Sequence, residues 1–257
     1  ELTAIRACRP GKCDLRLGDT AIARYHYGLG RLKKELDDVH LIHFITTGAI
    51  KDDGNGPKTR FRHRSFFVGS DTREVVKQGQ ADYIPISIAE VPHLIKTGRI
   101  VFDLALIQVS YPDEFGYVSL GVSVDIVKSA AENASLVIAQ VNPNMPRTRG
   151  DSFIHAYDID VLVPSEAPIL EVSPPEVTDV TRQIAENISA LVEDGSTIEV
   201  GIGRIPQALL GFLKDKKDLG IHTEMISDGI VDLIRSGAID IVVVDSVAAL
   251  VPRAEIE

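Results

Sequence analysis

The sequence predicts an α/β protein built on a mainly parallel sheet. Apolar strand-like runs alternate with helical segments along the chain, and short glycine-containing turns separate them. The run FDLALIQVS at 102–110 is almost unbroken in its apolar residues, which is typical of a central strand buried on both faces. With 257 residues, of which 44% are hydrophobic and 25% charged, the composition is that of a soluble globular chain with one large core or two smaller ones.

The first part of the chain is predicted to contain most of the sheet. Strand candidates are short apolar runs, and helix candidates are amphipathic segments that end at glycine. In chain order, the predicted elements are a strand at 39–46, a polar glycine-rich loop at 51–60, an apolar run at 64–69, a helix at 72–79, a strand at 81–87, a helix at 90–98, the strand at 102–110, a helix at 122–134 and a strand at 135–142.

A change in composition marks a predicted boundary. Residues 164–180, PSEAPILEVSPPEVTDV, are rich in proline and acidic residues and have no hydrophobic period. We therefore predict two domains, 1–170 and 171–257. The predicted elements of the second are helices at 181–195, 206–216 and 229–237 and strands at 196–203, 219–224 and 239–246. Three strands are few for an independent sheet of this class, so we expect the second domain to be incomplete.

Charge and composition argue against several classes of function. The formal net charge of −10 opposes non-specific binding to nucleic acid. No apolar run approaches the roughly 18 residues of a membrane span, and the first residues contain no signal-peptide core. We therefore expect a cytoplasmic protein. The two cysteines, Cys8 and Cys13, have no second pair with which to complete a zinc site, so we expect no metal.

A glycine loop and a later glutamate are the strongest candidates for chemistry. The segment IEVGIGRIPQALL predicts a strand, a tight turn and a helix, and free amides at the start of that helix favour an oxyanion or a phosphate. Glycines that only form a turn are the simpler alternative. A dinucleotide site is another, because Gly201 and Gly203 fit its pattern and Glu224 follows Gly201 by 23 residues. Pro206 stands where that pattern needs its third glycine, so the match is weak.

Glu224 is also a candidate covalent nucleophile. A glutamate, with an ordinary pKa of about 4.3, is ionised at pH 7 and needs no neighbouring base. Its attack on a thioester gives an acyl-glutamyl anhydride, which the released thiolate converts into a glutamyl thioester. That thioester retains the free energy needed to pass coenzyme A to another carboxylate. The amides of the glycine loop would stabilise the developing oxyanion. His222, two residues earlier in the strand, would face the same side, although a packed neutral histidine is the expected state.

Five long segments carry a family resemblance. GIGRIPQALL, KDLGIHTEMISDGIVDLI, FRHRSFFVGSDTREVVKQGQADYIPI, FDLALIQVSYPDEFGYVSLGVSVD and VIAQVNPNMPRTRGDSFIH closely resemble the acetyl-CoA hydrolase/transferase family, which includes 4-hydroxybutyrate, butyrate and succinate CoA-transferases. The resemblance covers about residues 39–239. It implies domains of the CoA-transferase type, with a parallel-sheet (NagB/RpiA-like) fold. It also implies that Glu224 is the nucleophile and that Gly201, Ile202, Gly203 and Pro206 line the acyl and CoA site.

A polar loop after a buried strand supplies further candidates. Ligands of parallel α/β sheets gather at the carboxyl ends of strands, where QVNPNMPRTRGDSFIH lies. Asn142, Met145, Arg147 and Asp151 are therefore candidate substrate-lining residues. A purely structural loop is an equal alternative for each of them.

The end of the chain resembles a different family. RSGAIDIVVVDSVAALVPRAEIE is similar to the Walker B strand of the bacterial recombinase RecA, in which the aspartate corresponding to Asp245 helps to position magnesium. That role needs a phosphate-binding loop, G-x-x-x-x-G-K-[ST], which this sequence lacks. We expect the segment to contribute only an apolar strand.

The function expected from these observations is coenzyme A transfer between an acyl-CoA, such as acetyl-CoA, and a short-chain carboxylate, within acetate metabolism. CoA and acyl-CoA would be substrates, and no tightly bound cofactor is expected. An acyl-CoA hydrolase is the nearest alternative, and an inactive, truncated CoA-binding module is another. The family resemblance also suggests a homodimer.

Overall fold

The computed structural model describes residues 13–17, 39–44, 61–171, 176–201, 203–223 and 226–244. The chain divides into two compact units, Glu1–Leu170 (unit 1) and Glu171–Glu257 (unit 2). The predicted loop at 51–60 lies outside the described residues. Within the described part, no helix is both long and apolar enough to cross a membrane.

Unit 1 contains a seven-stranded sheet in which all neighbouring strands are parallel. The sheet order is β4-β3-β2-β1-β5-β7-β9, and a separate antiparallel ribbon joins β6 to β8. The strands are β1 Cys13–Leu17, β2 Val39–His43, β3 Phe61–Ser65, β4 Ala81–Tyr83, β5 Leu104–Val109, β6 Tyr117–Ser119, β7 Val137–Val141, β8 Phe153–His155 and β9 Val161–Pro164. The helices are α1 Ser70–Lys77, α2 Val91–Lys96 and α3 Val127–Asn133, with 3-10 turns at Ile88–Glu90 and Ala156–Asp158. The predicted α/β fold with a parallel sheet is confirmed.

The central position predicted for the 102–110 run is confirmed. All six residues of β5 are buried, and β5 pairs with β1 on one side and β7 on the other. Phe102, just before this strand, packs with Val91 and Ile95 of α2 and with Ile126 and Ala130 around α3. Burial of these side chains is the main force that holds the two helices against the sheet.

The apolar run at 64–69 overlaps a strand, β3, only at its first two residues. β3 ends at Ser65, and its buried positions are polar, because His63 and Ser65 face inward between Arg62 and Arg64. The His63 imidazole hydrogen-bonds to the His43 imidazole on β2 at 2.8 Å, and the two rings stack. The inward side chains of β3 for which the structure describes burial, His63 and Ser65, are polar and give no apolar signal in the sequence.

The described residues of unit 2 form three parallel strands and three helices, in the order in which the sequence predicts them. The strands are β10 Thr197–Glu199, β11 Leu219–Thr223 and β12 Ile239–Val244, with β11 in the centre. The helices are α4 Asp179–Ser189, α5 Arg204–Gly211 and α6 Asp228–Ser236. Thr178 caps α4 by accepting the Thr181 amide at 3.2 Å.

One apolar cluster holds unit 2 together. Leu219 and Ile221 of β11 occupy its middle, and side chains from the helices cover one face of the sheet. The buried members are Val200, Leu210, Leu213, Leu219, Ile221, Ile230, Leu233, Ala238 and Ile239. On the other face, Thr197, Glu199 and His222 are exposed.

Candidate functional site

Two strands of unit 2 end side by side at the candidate site. β10 and β11 are parallel, and Glu199 lies opposite His222 in their register. One step further along, the buried hydroxyl of Thr223 donates a hydrogen bond of 2.8 Å to the Val200 carbonyl. This bond fixes the end of β11 against the start of the glycine loop.

Gly203 forms the turn between β10 and α5. Its backbone has φ 142° and ψ 177°, a conformation that is essentially restricted to glycine. Gly203 is also the N-cap residue of α5, and the first hydrogen bond of that helix runs from the Gln207 amide to the Gly203 carbonyl at 3.2 Å. The predicted strand-loop-helix arrangement is therefore present. Ile202 lies outside the described residues.

Gly201 and Gly203 of the glycine loop are exposed. Among the residues that the structure describes, none would lie within 4 Å of a Cβ atom built on Gly201. Pro206 lies in the first turn of α5, where its missing N–H is not needed. The amides of Arg204 and Ile205 precede the first intrahelical hydrogen bond, so they are the donors that this turn can offer to an oxyanion.

A second strand-to-helix connection begins at the same edge. β11 ends at Thr223 and α6 begins at Asp228, so the HTEM-SDG segment connects them. Glu224 lies outside the described residues, and its role as nucleophile stays a prediction. His222 is exposed, so the expectation of a packed histidine is wrong, because its strand position is on the face where Thr197 and Glu199 are also exposed.

Asn142 connects the ends of several strands in unit 1. It is fully buried, and its amide nitrogen donates to Gln108 Oε1 at 2.9 Å and to the Ala167 carbonyl at 2.8 Å. Its Oδ1 accepts the Asn144 amide at 2.9 Å. Gln140 also donates to Gln108 at 3.3 Å. These contacts assign Asn142 a structural role, and a substrate-lining role stays untested.

Met145 and Asp151 occupy opposite environments in the same loop. The Met145 side chain is buried against Gly121, where an added Cβ would lie 2.2 Å from its Sδ. The Asp151 carboxylate is 93% exposed and forms an ion pair with Lys128. Only Asp151 of this pair is open to a solute, and neither residue is tested as a ligand contact.

Arg147 holds the 111–117 turn in place. Its guanidinium donates to the Asp113 carboxylate at 2.5 Å, to the Tyr117 carbonyl at 3.1 Å and to the Tyr111 carbonyl at 3.3 Å. The same group lies 4.9 Å from the centre of the Phe153 ring. These contacts of Arg147 are all with residues of unit 1, and its role in lining a substrate site stays a prediction.

Asp113 is the centre of this turn, a role that the sequence does not predict. Its Oδ1 accepts the backbone amides of Tyr117 at 2.8 Å and Phe115 at 3.0 Å. The Tyr117 amide chiefly, then the Phe115 amide and the charge of Arg147, lower the pKa of Asp113 below its ordinary value. The proline, acids and glycine of PDEFG indicate a turn, but they do not identify a partner 34 residues later. Among the described residues, no group of three or more His, Cys, Asp or Glu side chains could hold a metal ion.

Comparison with known families identifies two matching regions. Residues 19–174 match the acetyl-CoA hydrolase/transferase N-terminal domain, which confirms the resemblance. The match starts at residue 19, earlier than the residue 39 at which the resemblance was expected to start. Residues 215–257 match the RecA N-terminal domain. In that second region the chain is 62% identical over 45 residues to RecA of Acidothermus cellulolyticus, covering 18% of this chain and 12% of RecA.

Individual relatives are similar to most of this chain. It is 52% identical over 202 residues to the 4-hydroxybutyrate coenzyme A transferase of Clostridium kluyveri, covering 79% of this chain and 47% of that enzyme. It is 43% identical over 210 residues to the succinyl-CoA:acetate/propanoyl-CoA:succinate CoA transferase of Fasciola hepatica, covering 81% and 43%. The chain thus spans about half the length of the curated relatives it matches.

A solved structure shares the fold. The crystal structure of 4-hydroxybutyrate CoA-transferase from Porphyromonas gingivalis aligns with a TM-score of 0.71 and 32% identity, over 92% of this chain and 56% of that one. The prediction of a CoA-transferase-type fold is confirmed by this similarity.

Proposed function

We propose a coenzyme A transfer function for this chain, which belongs to the acetyl-CoA hydrolase/transferase family. The substrates would be an acyl-CoA and a short-chain carboxylate. The single observation that carries the proposal is the pairing of β10 with β11, which brings the glycine loop beside the end of the strand that Glu224 follows. The names of the relatives, which include transferases of 4-hydroxybutyrate and succinate, support the substrate class.

The proposed reaction proceeds in two exchanges at Glu224. The carboxylate attacks the thioester carbonyl, a C–O bond forms and the C–S bond breaks, which releases the CoA thiolate and leaves an acyl-glutamyl anhydride. The thiolate then attacks the glutamyl carbonyl, which releases the donor carboxylate and leaves a glutamyl-CoA thioester. The acceptor carboxylate reverses both steps, so no base, metal or redox partner is consumed.

The glycine loop would stabilise the tetrahedral intermediates of these steps. Each attack places negative charge on a carbonyl oxygen, and backbone amides fixed before the reaction stabilise that charge without reorganising. Arg204 and Ile205 provide such amides at the start of α5, and the glycines before them leave room for a substrate. Gly201, Ile202, Gly203 and Pro206 are therefore proposed as the acyl and CoA contacts.

An acyl-CoA hydrolase is the alternative at the same site. Water would then attack the anhydride or the glutamyl thioester in place of an acceptor acid. The two activities differ in whether the site excludes water. Adding acetate or butyrate separates them, because a transferase forms the new acyl-CoA and a hydrolase forms only free CoA. Calorimetry with CoA would identify an inactive binding module by binding without turnover.

Trapping the covalent intermediate tests the proposal directly. The protein is incubated with acetyl-CoA, treated with hydroxylamine or borohydride, digested and analysed by mass spectrometry. We expect the modification on Glu224, and none in Glu224→Gln. Glu199→Gln is the matched control, because this exposed carboxylate lies on the neighbouring strand and should leave the trapping unchanged. An active preparation in which Glu224 stays unmodified would refute the mechanism.

Three further properties belong to the same proposal. A cytoplasmic location, a homodimeric assembly and a role in acetate metabolism are the expected context of a CoA-transferase of this kind. Sedimentation velocity of the purified chain measures the second of these directly. Competition among acetate, butyrate, 4-hydroxybutyrate and succinate as acceptors would identify the preferred acid.

A further inference from the structure

Three aromatic side chains of unit 1 are exposed to solvent on neighbouring segments. Phe115 is 71% exposed, Tyr117 45% and Tyr157 94%. The His155 ring connects them, since its centre lies 4.9 Å from that of Tyr117 and 4.8 Å from that of Tyr157. We call Phe115, Tyr117, His155 and Tyr157 the aromatic patch. None of the interactions assigned to the proposed CoA site uses these rings.

The first segment of the patch is held rigidly. The Asp113 carboxylate accepts the amides that precede both exposed rings, those of Phe115 and Tyr117, and Arg147 fixes that carboxylate. The Asp113 amide in turn donates to the Tyr117 carbonyl at 2.9 Å. The backbone that carries Phe115 and Tyr117 is therefore fixed by the turn.

The second segment is tied to the first through His155. Its Nδ1 accepts the Tyr157 amide at 3.2 Å, and its Nε2 lies 3.1 Å from the Phe115 carbonyl. Because a carbonyl can only accept, the imidazole proton is on Nε2. The Ala156 amide also donates to the Gly116 carbonyl at 2.9 Å. The two turns thus form one preorganised unit.

Two carboxylates border the rings. Glu114 precedes Phe115 and Asp158 follows Tyr157, and both are exposed. Among the described residues, neither carboxylate has an ion-pair partner, whereas Asp113 is neutralised by Arg147. The patch therefore combines exposed aromatic rings with two carboxylates, those of Glu114 and Asp158, that no described cation neutralises.

We propose that the aromatic patch is a docking site for a polypeptide segment that carries arginine or lysine side chains. Cations bind over the faces of aromatic rings, and neighbouring carboxylates also attract them. Aromatic side chains on a fixed backbone have few torsions left to order on binding, and aromatic residues are frequent anchors of protein interfaces. The choice of a cationic partner follows from the charges at the patch and from the net charge of −10, which repels acidic partners.

A labelled peptide of alternating arginine and glycine is the probe, and its binding is followed by fluorescence anisotropy at physiological salt. We expect Phe115→Ala/Tyr157→Ala to weaken binding about tenfold, which corresponds to the loss of two cation–ring contacts. Tyr83→Ala, which removes an aromatic ring 51% exposed elsewhere in unit 1, should change the affinity less than twofold. Unchanged thermal unfolding midpoints would show that the variants remain folded.

Charge variants distinguish a specific site from general attraction to an acidic protein. Glu114→Gln/Asp158→Asn should weaken binding several-fold, whereas Glu74→Gln/Glu90→Gln, which removes two exposed acids on α1 and on the 3-10 turn at Ile88–Glu90 of the same unit, should not. Equal losses in both pairs, or no loss in the aromatic variant, would overturn the proposal. So would sedimentation data in which Phe115→Ala/Tyr157→Ala converts a dimer into a monomer, because the patch would then bind a second copy of this chain.

Discussion

Replacing Gly203 by alanine tests whether the glycine loop is held in a conformation that only glycine adopts. With φ 142° and ψ 177°, Gly203 lies in a region that costs other residues on the order of 1–3 kcal/mol. The nearest atom to an added Cβ is Pro206 Cδ at 3.7 Å, an ordinary van der Waals distance. The backbone strain is therefore the whole expected cost.

Gly201 offers a matched control two residues earlier. Its backbone lies outside the positive-φ region, and an added Cβ would contact none of the described part of the chain within 4 Å. Gly201→Ala should be neutral, or stabilising by about 0.4–1 kcal/mol through the unfolded state. The same methyl group thus has opposite predicted effects at the two positions.

Hydrogen exchange of the α5 amides measures the difference. The strain in Gly203→Ala should speed their exchange by roughly fivefold to over a hundredfold, since each 1.4 kcal/mol is about a factor of ten. In Gly201→Ala, exchange should stay within a factor of about two of the original protein. Equal exchange in the two variants would refute the conformational argument. A loss of CoA transfer in Gly201→Ala without faster exchange would instead indicate that substrate approaches this side of the loop.

Three further substitutions test other contacts. Gly121→Ala should cost about 2–5 kcal/mol in a thermal unfolding experiment, because its φ is 61° and the new methyl would lie 2.2 Å from Met145 Sδ. Adding Met145→Ala should relieve only the clash with that side chain, because the Pro146 carbonyl oxygen would still lie 2.9 Å from the new methyl. Thr223→Val removes the hydroxyl that satisfies the buried Val200 carbonyl and should cost about 1–3 kcal/mol in denaturant unfolding, whereas Thr223→Ser should retain most of the stability. The pKa of Asp113 is lowered in the folded protein, so its ionised carboxylate stabilises the fold at pH values above its unfolded pKa. That contribution to the free energy of unfolding is lost as the pH falls through the folded pKa. Amide resonances of the turn should shift in that acidic window, and they should not shift there in Asp113→Asn.

The parts of the fold that the sequence predicts are those whose buried side chains are apolar and periodic. β5 is six buried residues in a row, and α6 ends at Gly237 as its glycine stop indicates. β9, with alternating partial exposure, and the three-residue strands β6 and β8 give no such signal. These elements depend on pairing with distant strands, which the local sequence does not encode.

The same distinction applies to the candidate site. The glycine loop is predictable because a strand, a turn and a helix follow one another within a dozen residues. The functions of Arg147 and Asn142 are not predictable, because each depends on partners more than twenty residues away in sequence. Arg147 contacts Asp113, and Asn142 contacts Gln108 and Ala167. A polar residue after a buried strand is equally suited to hold a ligand or a loop, and here the observed contacts are with loops.

The segment that matches RecA supplies two neighbouring strands of unit 2. Both β11 and β12 lie within it, they pair over most of the length of β12, and Ile239 packs in the apolar cluster of unit 2. The pairing contains one register shift beside Leu219, which accommodates an extra residue of β12. Any strand with apolar side chains facing the cluster meets these requirements, so pairing with β11 carries no evidence for nucleotide binding. Such binding would need a phosphate loop that the sequence does not contain, and Asp245 lies outside the described residues.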